Sequence, residues 1–167
     1  MELNEQQIQR RQALDKLRAM GINPYPADVY AKDYSSVEIS KQFDESPEKF
    51  AEISFAGRMM RRRIMGKASF AELQDEEGSI QVYFNRDELC TGEDKKLYND
   101  VFKKLLDLGD ILGVTGEVFR TQTGELSIKA KTLTVLSKSL NPLPMPKEVD
   151  GKVYDAFTDP EQRYRKR

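Results

Sequence analysis

Hydrophobic and polar residues alternate through the middle of the chain, from Ile53 to Leu136. A period of two places successive side chains on opposite faces of a β-strand, so this pattern predicts a sheet with one buried face. Polar and glycine-containing turns divide the segment into strands, and one helix is expected after the third strand. The predicted strands are Ile53–Met65, Lys67–Gln74, Ser79–Asn85, Ile111–Thr121 and Glu125–Leu136, and the predicted helix is Lys95–Leu106.

The order of these elements indicates a mainly β fold with helices, a five-stranded OB-fold barrel. A different small barrel has the same number of strands, and the helix between the third and fourth strands is the feature that favours the OB-fold. Gly57 lies inside the first strand, where a glycine predicts a β-bulge.

Segments of different pattern flank the barrel. Residues 1–52 are expected to form an N-terminal helical extension, residues 53–137 the barrel, and residues 138–167 a proline-rich linker followed by a helix-like pattern that the chain end cuts off. An amphipathic helix is predicted at Asn4–Met20, with shorter helices at Ser35–Phe43 and after Pro47. One face of the first helix is predicted to hold Ile8, Leu14, Leu17 and Met20. Its arginine-rich remainder either faces solvent while the helix docks on protein, or contacts the body of an RNA.

The composition removes several kinds of chemistry. The 27 basic and 28 acidic residues give a formal net charge of -1, so any affinity for phosphate must come from local clusters. With no histidine and one cysteine, His-based catalytic triads, thiolate zinc clusters and an internal disulfide are excluded. No acidic spacing indicates a metal site or an acid–base pair. The sequence has no apolar run of membrane-spanning length and no secretory signal, so we expect a cytoplasmic protein without a membrane partner.

The alternation also predicts which side chains face away from the core. In the second and third strands Phe70, Gln81 and Tyr83 are expected outside, and in the fifth strand Glu125 is expected outside with Ser127 and Lys129. The inward positions are then Ser69, Ala71, Leu73, Ile80, Val82, Phe84, Leu126, Ile128 and Ala130. A ring that stacks on a base, beside an amide and a carboxylate that read its edge, makes a base-reading site. The alternative is a register shifted by one, with Phe70 in the core.

A basic cluster lies on the first strand and the turn after it. It consists of Arg58, Arg61, Arg62, Arg63 and Lys67. Guanidinium groups beside a stacking ring bind phosphate as forks or stack on bases, which favours a nucleic-acid groove. The alternative is a solvated strand edge that discourages aggregation.

Strings along nearly the whole chain resemble the class II lysyl-tRNA synthetase family, in matching order and spacing. They are Gly21–Pro26, Phe55–Phe70, Leu73–Asp75, Ile80–Tyr83, Asp107–Ile111, Thr123–Ile128 and Arg163–Arg165. The resemblance implies an OB domain that binds a largely uridine anticodon. Phe70 would stack on the central uridine, and Gln81 and Glu125 would read its edge with either Arg62 or Arg63.

The resemblance also implies that the complete enzyme joins lysine to its tRNA using ATP and Mg²⁺, as a homodimer. The catalytic motifs of the family lie beyond the residues that match Arg163–Arg165. We therefore expect this chain to be the anticodon-binding part with the truncated start of the catalytic domain, without a cofactor or catalytic activity of its own.

Three other functions compete with this reading. An aspartyl- or asparaginyl-type anticodon domain shares the basic first strand and the Phe and Gln positions, but the strings Gly66–Phe70 and Thr123–Ser127 favour the lysyl type. A non-specific single-strand binder is expected to have several stacking aromatics and a basic excess. A protein-interaction barrel leaves the arginines beside Phe70 without a role.

Overall fold

A computed structural model of the chain describes residues 3–143, 147–149, 152–154 and 160–165. Five strands form its centre: β1 (Ile53–Met65), β2 (Ala68–Gln74), β3 (Ser79–Asn85), β4 (Ile111–Arg120) and β5 (Leu126–Ser137). They close into a barrel in the order β1–β2–β3–β5–β4, with β1 also paired to β4. The β3–β5 pair is parallel and the other pairs of the barrel are antiparallel. The predicted OB-fold is confirmed.

The chain also forms several helices outside the barrel strands. They are α1 (Glu5–Ala19), α2 (Ser36–Gln42), a 3₁₀ turn (Pro47–Phe50), the short α3 (Arg86–Leu89), α4 (Leu97–Leu105) and α5 (Pro160–Arg165). A small hairpin joins β6 (Lys147–Val149) to β7 (Lys152–Tyr154). The α4 segment is wound as a π-helix, and α3 and the small hairpin were not expected from the sequence. The predicted linker lies partly outside the described residues, and the division at 52 and 137 stays a prediction.

Residues of the sequence explain where helix α1 begins and which of its faces is buried. Asn4 caps it, since the Asn4 side chain accepts from the Gln7 amide at 2.9 Å and the Gln7 side chain accepts from the Asn4 amide at 3.0 Å. Its buried face is Ala13, Leu14 and Leu17. The prediction that Ile8 and Met20 lie on this face was wrong: they are 44% and 39% exposed. Ile8 lies about half a turn around the helix from Leu17, and Met20 is the C-cap at the helix end.

The barrel core follows the strand alternation. The inward side chains are almost fully excluded from solvent and include Phe55, Met59, Leu73, Val82, Phe84, Leu112, Val114 and Ile128. The expected bulge at Gly57 was wrong, because the register of β1 against β2 shifts between Met59 and Arg61. Gly57 serves another purpose: a Cβ there would lie 2.9 Å from the Gln74 carbonyl oxygen, so only glycine allows this close strand approach.

A buried charge cluster joins the beginning of β4 to the end of β5. The side chains of Lys138 and Asp110 are both 0% exposed, and Lys138 Nζ lies 3.0 Å from Asp110 Oδ2. The amides of Ser139 and Asp107 each donate to the Asp110 carboxylate at 2.8 Å. Burial raises the pKa of Asp110, whereas Lys138 and the two backbone amides act in the opposite direction. The cluster also anchors the N-terminal extension, because Tyr25 donates to the Lys138 carbonyl at 2.8 Å.

Lys138→Met is expected to lower the free energy of unfolding by about 3–5 kcal/mol, because it leaves Asp110 buried without its counterion. Denaturant unfolding measures the loss. Lys131→Met, on strand β5 that leads to Lys138, is the matched control; its side chain is exposed, and it should change stability by less than about 0.5 kcal/mol. Equal stability of the two variants would contradict a structural role for the cluster.

Candidate nucleic-acid interface

Two rows of side chains cross the outer face of the barrel. Residues paired directly across neighbouring strands point to the same face, so the strand register defines each row. The Phe70 row consists of Arg63, Phe70, Tyr83, Lys129 and Glu117. The Gln81 row consists of Arg61, Glu72, Gln81, Ser127 and Phe119.

The predicted orientation of Phe70 is confirmed. Its neighbours Ser69, Ala71 and Leu73 are buried in the barrel, while Phe70 is half-buried on the outer face. The alternative register, with Phe70 in the core, is therefore wrong. Gln81 lies on the same outer face and is likewise half-buried.

Phe70 belongs to a continuous aromatic shelf. Its ring centroid lies 5.1 Å from that of Tyr83, and the Tyr83 ring lies 6.1 Å from that of Phe119. Sequence analysis did not single out Phe119. The alternation of the fourth strand does indicate it: Phe119 follows the buried Val118 and must face outward.

Two adjoining grooves run over this shelf. The first has a volume of about 780 Å³ and is lined by Met60, Arg61, Arg62, Arg63, Phe70, Ala71, Glu72, Gln81, Leu108, Thr121 and Thr123. The second, of about 590 Å³, is lined by Phe70, Tyr83, Glu88, Glu117, Phe119, Thr121, Gln122, Thr123 and Lys129. Because both include the Phe70 ring, a chain of several bases has a continuous path across them.

The polar groups beside Phe70 differ in how firmly they are held. Gln81 Nε2 donates to Ser127 Oγ at 2.8 Å. Ser127 was expected outside and lies on the outer face of β5, but it is 0% exposed. Glu125 is exposed at the end of the β4–β5 turn, where its amide and carbonyl are bonded to Thr121. Its carboxylate has no hydrogen bond or ion pair with any described residue, so it is available to a ligand.

The basic cluster divides into two sets. Arg61 and Arg63 lie on the outer face, where Arg61 pairs with Glu72 at 3.5 Å and Arg63 makes no ion pair or hydrogen bond within the described ranges. Arg62 borders the groove, but its guanidinium donates to the carbonyls of Phe102 at 2.5 Å and Leu106 at 2.8 Å. Burial lowers the pKa of Arg62. The geometry therefore favours Arg63 over Arg62 as the arginine beside Phe70.

The other two basic residues of the cluster lie away from the shelf. Arg58 donates to the Gly109 carbonyl at 3.0 Å, which holds the loop before β4. Lys67 is exposed at the turn between β1 and β2, and neither groove includes it in its lining. The structure thus brings together Arg61, Arg63, Phe70, Gln81 and Tyr83 on one surface. The guanidinium groups of Arg58 and Arg62 instead bond backbone carbonyls of other segments.

Charge varies along the two grooves. The end near β1 carries Arg61 and Arg63, whereas the far end carries Lys129 between Glu88 at 3.0 Å and Glu117 at 3.8 Å. The hydrogen bond to Glu88 raises the pKa of Lys129. Phosphates are favoured at the β1 end, and base edges with N–H groups are favoured at the carboxylates.

The described part of the chain carries neither a metal-holding cluster nor a membrane-spanning helix. Within it, no group of three or more His, Cys, Asp or Glu side chains is placed to hold a metal ion. No helix there has both the length and the apolar character needed to cross a membrane.

Comparison with known proteins identifies the domain. The family of OB-fold nucleic acid binding domains matches residues 53–136, which is the whole barrel, and the chain belongs to this family. A lysine–tRNA ligase of Christiangramia forsetii is 54% identical over 167 residues, covering 99% of this chain and 29% of that protein. One from Porphyromonas gingivalis is 56% identical over 169 residues, covering 100% and 29%. One from Azobacteroides pseudotrichonymphae is 55% identical over 165 residues, covering 99% and 33%. The chain thus spans about three tenths of the length of these relatives.

Arg62→Met is expected to lower the free energy of unfolding by about 1.5–3 kcal/mol, because two carbonyls at the end of α4 lose a charged donor. Arg63→Met, the matched control on the neighbouring position, should change it by less than about 0.5 kcal/mol. Thermal or denaturant unfolding of both variants tests the assignment. If Arg63→Met is the more damaging, the division of the basic cluster is wrong.

Proposed function

We propose that this domain binds the anticodon loop of a lysine tRNA and reads a uridine there, as part of a lysine–tRNA ligase. The observation that carries the proposal is the half-buried ring of Phe70 on the outer face, paired across the strands with Arg63 and lying beside the amide of Gln81. The relatives described above are lysine–tRNA ligases, which supports the lysine type over the aspartyl or asparaginyl type.

Stacking supplies the main part of the affinity in this proposal. A base on Phe70 gains about 1–3 kcal/mol, largely independent of its identity. Tyr83 and Phe119 extend the shelf, so a neighbouring base of the loop has a second aromatic surface in the adjoining groove. Arg61 and Arg63 lie where the phosphates of these nucleotides would run.

Hydrogen bonds to the base edge supply the specificity. The Gln81 amide offers both a donor and an acceptor, and Glu125 offers a carboxylate that is free of other partners within the described residues. A uracil edge carries an N3–H donor and an O4 acceptor, which match the two halves of the amide. When a base with a different edge lies in the groove, Gln81 and Glu125 lose their hydrogen bonds to water and gain none from the base. Binding of that base is therefore weaker.

We extend the proposal to the complete protein. It would be a cytoplasmic homodimeric enzyme that joins lysine to its tRNA with ATP and Mg²⁺. In this proposal ATP, Mg²⁺ and catalysis belong to the part of the relatives that this chain does not match. The chain alone is then expected to bind tRNA without aminoacylating it.

One observation favours a second function, non-specific binding of single-stranded nucleic acid. The shelf holds three rings in contact, Phe70, Tyr83 and Phe119, more than the sequence suggested. Against this, the acidic side chains of Glu72, Glu88 and Glu117 line the same grooves and disfavour close phosphates. A binder of this second kind would not discriminate between loops of different sequence.

The first experiment is a titration of the chain against two RNA stem-loops that differ only in the anticodon, UUU or GUC. We expect a clear preference for UUU. Phe70→Ala should weaken UUU binding by about 1–3 kcal/mol because it removes the stacking ring, with little change in melting temperature. Phe70→Tyr keeps the ring and should retain most of the affinity. Equal binding to both loops supports the second function, and no binding to either contradicts the proposal.

Binding is also expected to weaken steeply with salt, since phosphate contacts release condensed counterions. The slope of log K against log salt concentration should become less steep by about 0.7 when one arginine that contacts a phosphate of the single-stranded loop is removed, as in Arg63→Met. Lys131→Met, whose side chain is exposed outside both grooves, should leave the slope unchanged. An unchanged slope for Arg63→Met would remove Arg63 from the interface.

A further inference from the structure

Ser127 occupies an unusual position beneath the base-reading surface. It lies in the Gln81 row on the outer face of β5, yet its exposure is 0%. Its hydroxyl meets two polar groups: Gln81 Nε2 at 2.8 Å and the Glu125 carbonyl oxygen at 3.4 Å. The buried hydroxyl therefore links the two residues that the proposed function assigns to the base edge.

The chemistry of these partners sets the direction of the hydrogen bonds. A backbone carbonyl only accepts, so the Ser127 hydroxyl proton points to the Glu125 oxygen. The lone pair of Oγ then faces Gln81 and takes an N–H of its amide. This holds the amide nitrogen on the Ser127 side and leaves the amide oxygen without a partner among the described residues, available to a ligand.

The orientation of this amide matters because uracil and cytosine have reversed edges. Uracil presents O4 as an acceptor and N3–H as a donor, while cytosine presents an amino donor and N3 as an acceptor. A glutamine amide in one orientation is complementary to uracil, and the same amide rotated by half a turn is complementary to cytosine. A group that fixes the rotation of the amide thereby decides between the two pyrimidines.

We infer that Ser127 is a positioning residue that fixes the Gln81 amide in the orientation that accepts uracil and rejects cytosine. The inference rests on the proposed function, since it requires a pyrimidine to lie over Phe70 within reach of Gln81. Ser127 itself touches no base, because it is fully buried.

The test compares two stem-loops that differ only at the central anticodon nucleotide, UUU and UCU. Unaltered chain is expected to bind UUU more tightly. In Ser127→Ala the amide rotates freely, so the ratio of the two affinities should fall by roughly three- to tenfold, the effect of one neutral hydrogen bond. Part of this fall should come from tighter binding of UCU, which a purely structural defect would not produce.

Two further variants serve as controls for Ser127→Ala. Ser127→Thr keeps the hydroxyl and should restore discrimination, with melting temperatures confirming that each variant folds. Ser137→Ala removes a serine at the far end of the same strand and should leave the ratio unchanged. If Ser127→Ala still binds UUU and the ratio of the two affinities is unchanged, the positioning role of Ser127 is wrong, while the proposed function stands. If unaltered chain binds neither loop, the proposed function fails instead.

A structural measurement keeps the inference testable if a Ser127 variant unfolds. In the NMR spectrum of unaltered chain, the side-chain amide protons of Gln81 should show nuclear Overhauser contacts to the β protons of Ser127. Contacts of these amide protons to other groups, with none to Ser127, would overturn the assigned orientation.

Discussion

A closed ring of paired strands leaves each side chain only two directions, into the core or out to solvent. The insertion of one extra residue in a strand reverses these directions for everything that follows. In β1 the inward residues are Phe55, Gly57 and Met59, so an unbroken strand would also turn Arg61 and Arg63 inward. The register shift after Met59 reverses the alternation, and Arg61 pairs with Glu72 on the outer face. The position of both arginines beside Phe70 thus depends on this single bulge.

The same bulge explains where sequence reasoning succeeded and where it stopped. The alternation in β2 and β3 is uninterrupted, so the outward direction of Phe70 and Gln81 followed from the pattern alone. The pattern in β1 could not decide whether Arg62 or Arg63 faces outward. The bulge was expected at Gly57, and in a run of arginines no hydrophobic residue marks the point where the side-chain direction reverses. The burial of Ser127 on an outward position was equally hidden, as was its hydrogen bond to Gln81 of another strand. Contacts between distant segments, such as Arg62 with the end of α4, decide such positions.

Charge serves two separate purposes in this fold. Asp110 and Arg62 are bonded to backbone groups at the ends of strands and helices, and the buried Lys138 is the counterion of Asp110, so each fixes one segment against another. Arg63 and Glu125 lie outside without partners among the described residues. A solvated charge without a partner costs the fold little, and it meets a ligand without first breaking an internal ion pair. The charged residues that hold the fold together are therefore distinct from those left accessible to a ligand, although Arg62 and Arg63 are adjacent in the chain.

The charge balance also bears on specificity. A strongly basic surface attracts any phosphate chain and so raises non-specific affinity as well as specific affinity. Here the formal net charge is -1, and carboxylates of Glu72, Glu88 and Glu117 line the grooves that hold the aromatic shelf. Stacking on Phe70 tolerates every base, so it cannot supply discrimination by itself. A surface that limits phosphate attraction leaves the base-edge hydrogen bonds as a larger share of the total binding energy. On such a surface, the orientation that we infer for the half-buried Gln81 amide would shift the balance between loops that differ at one base.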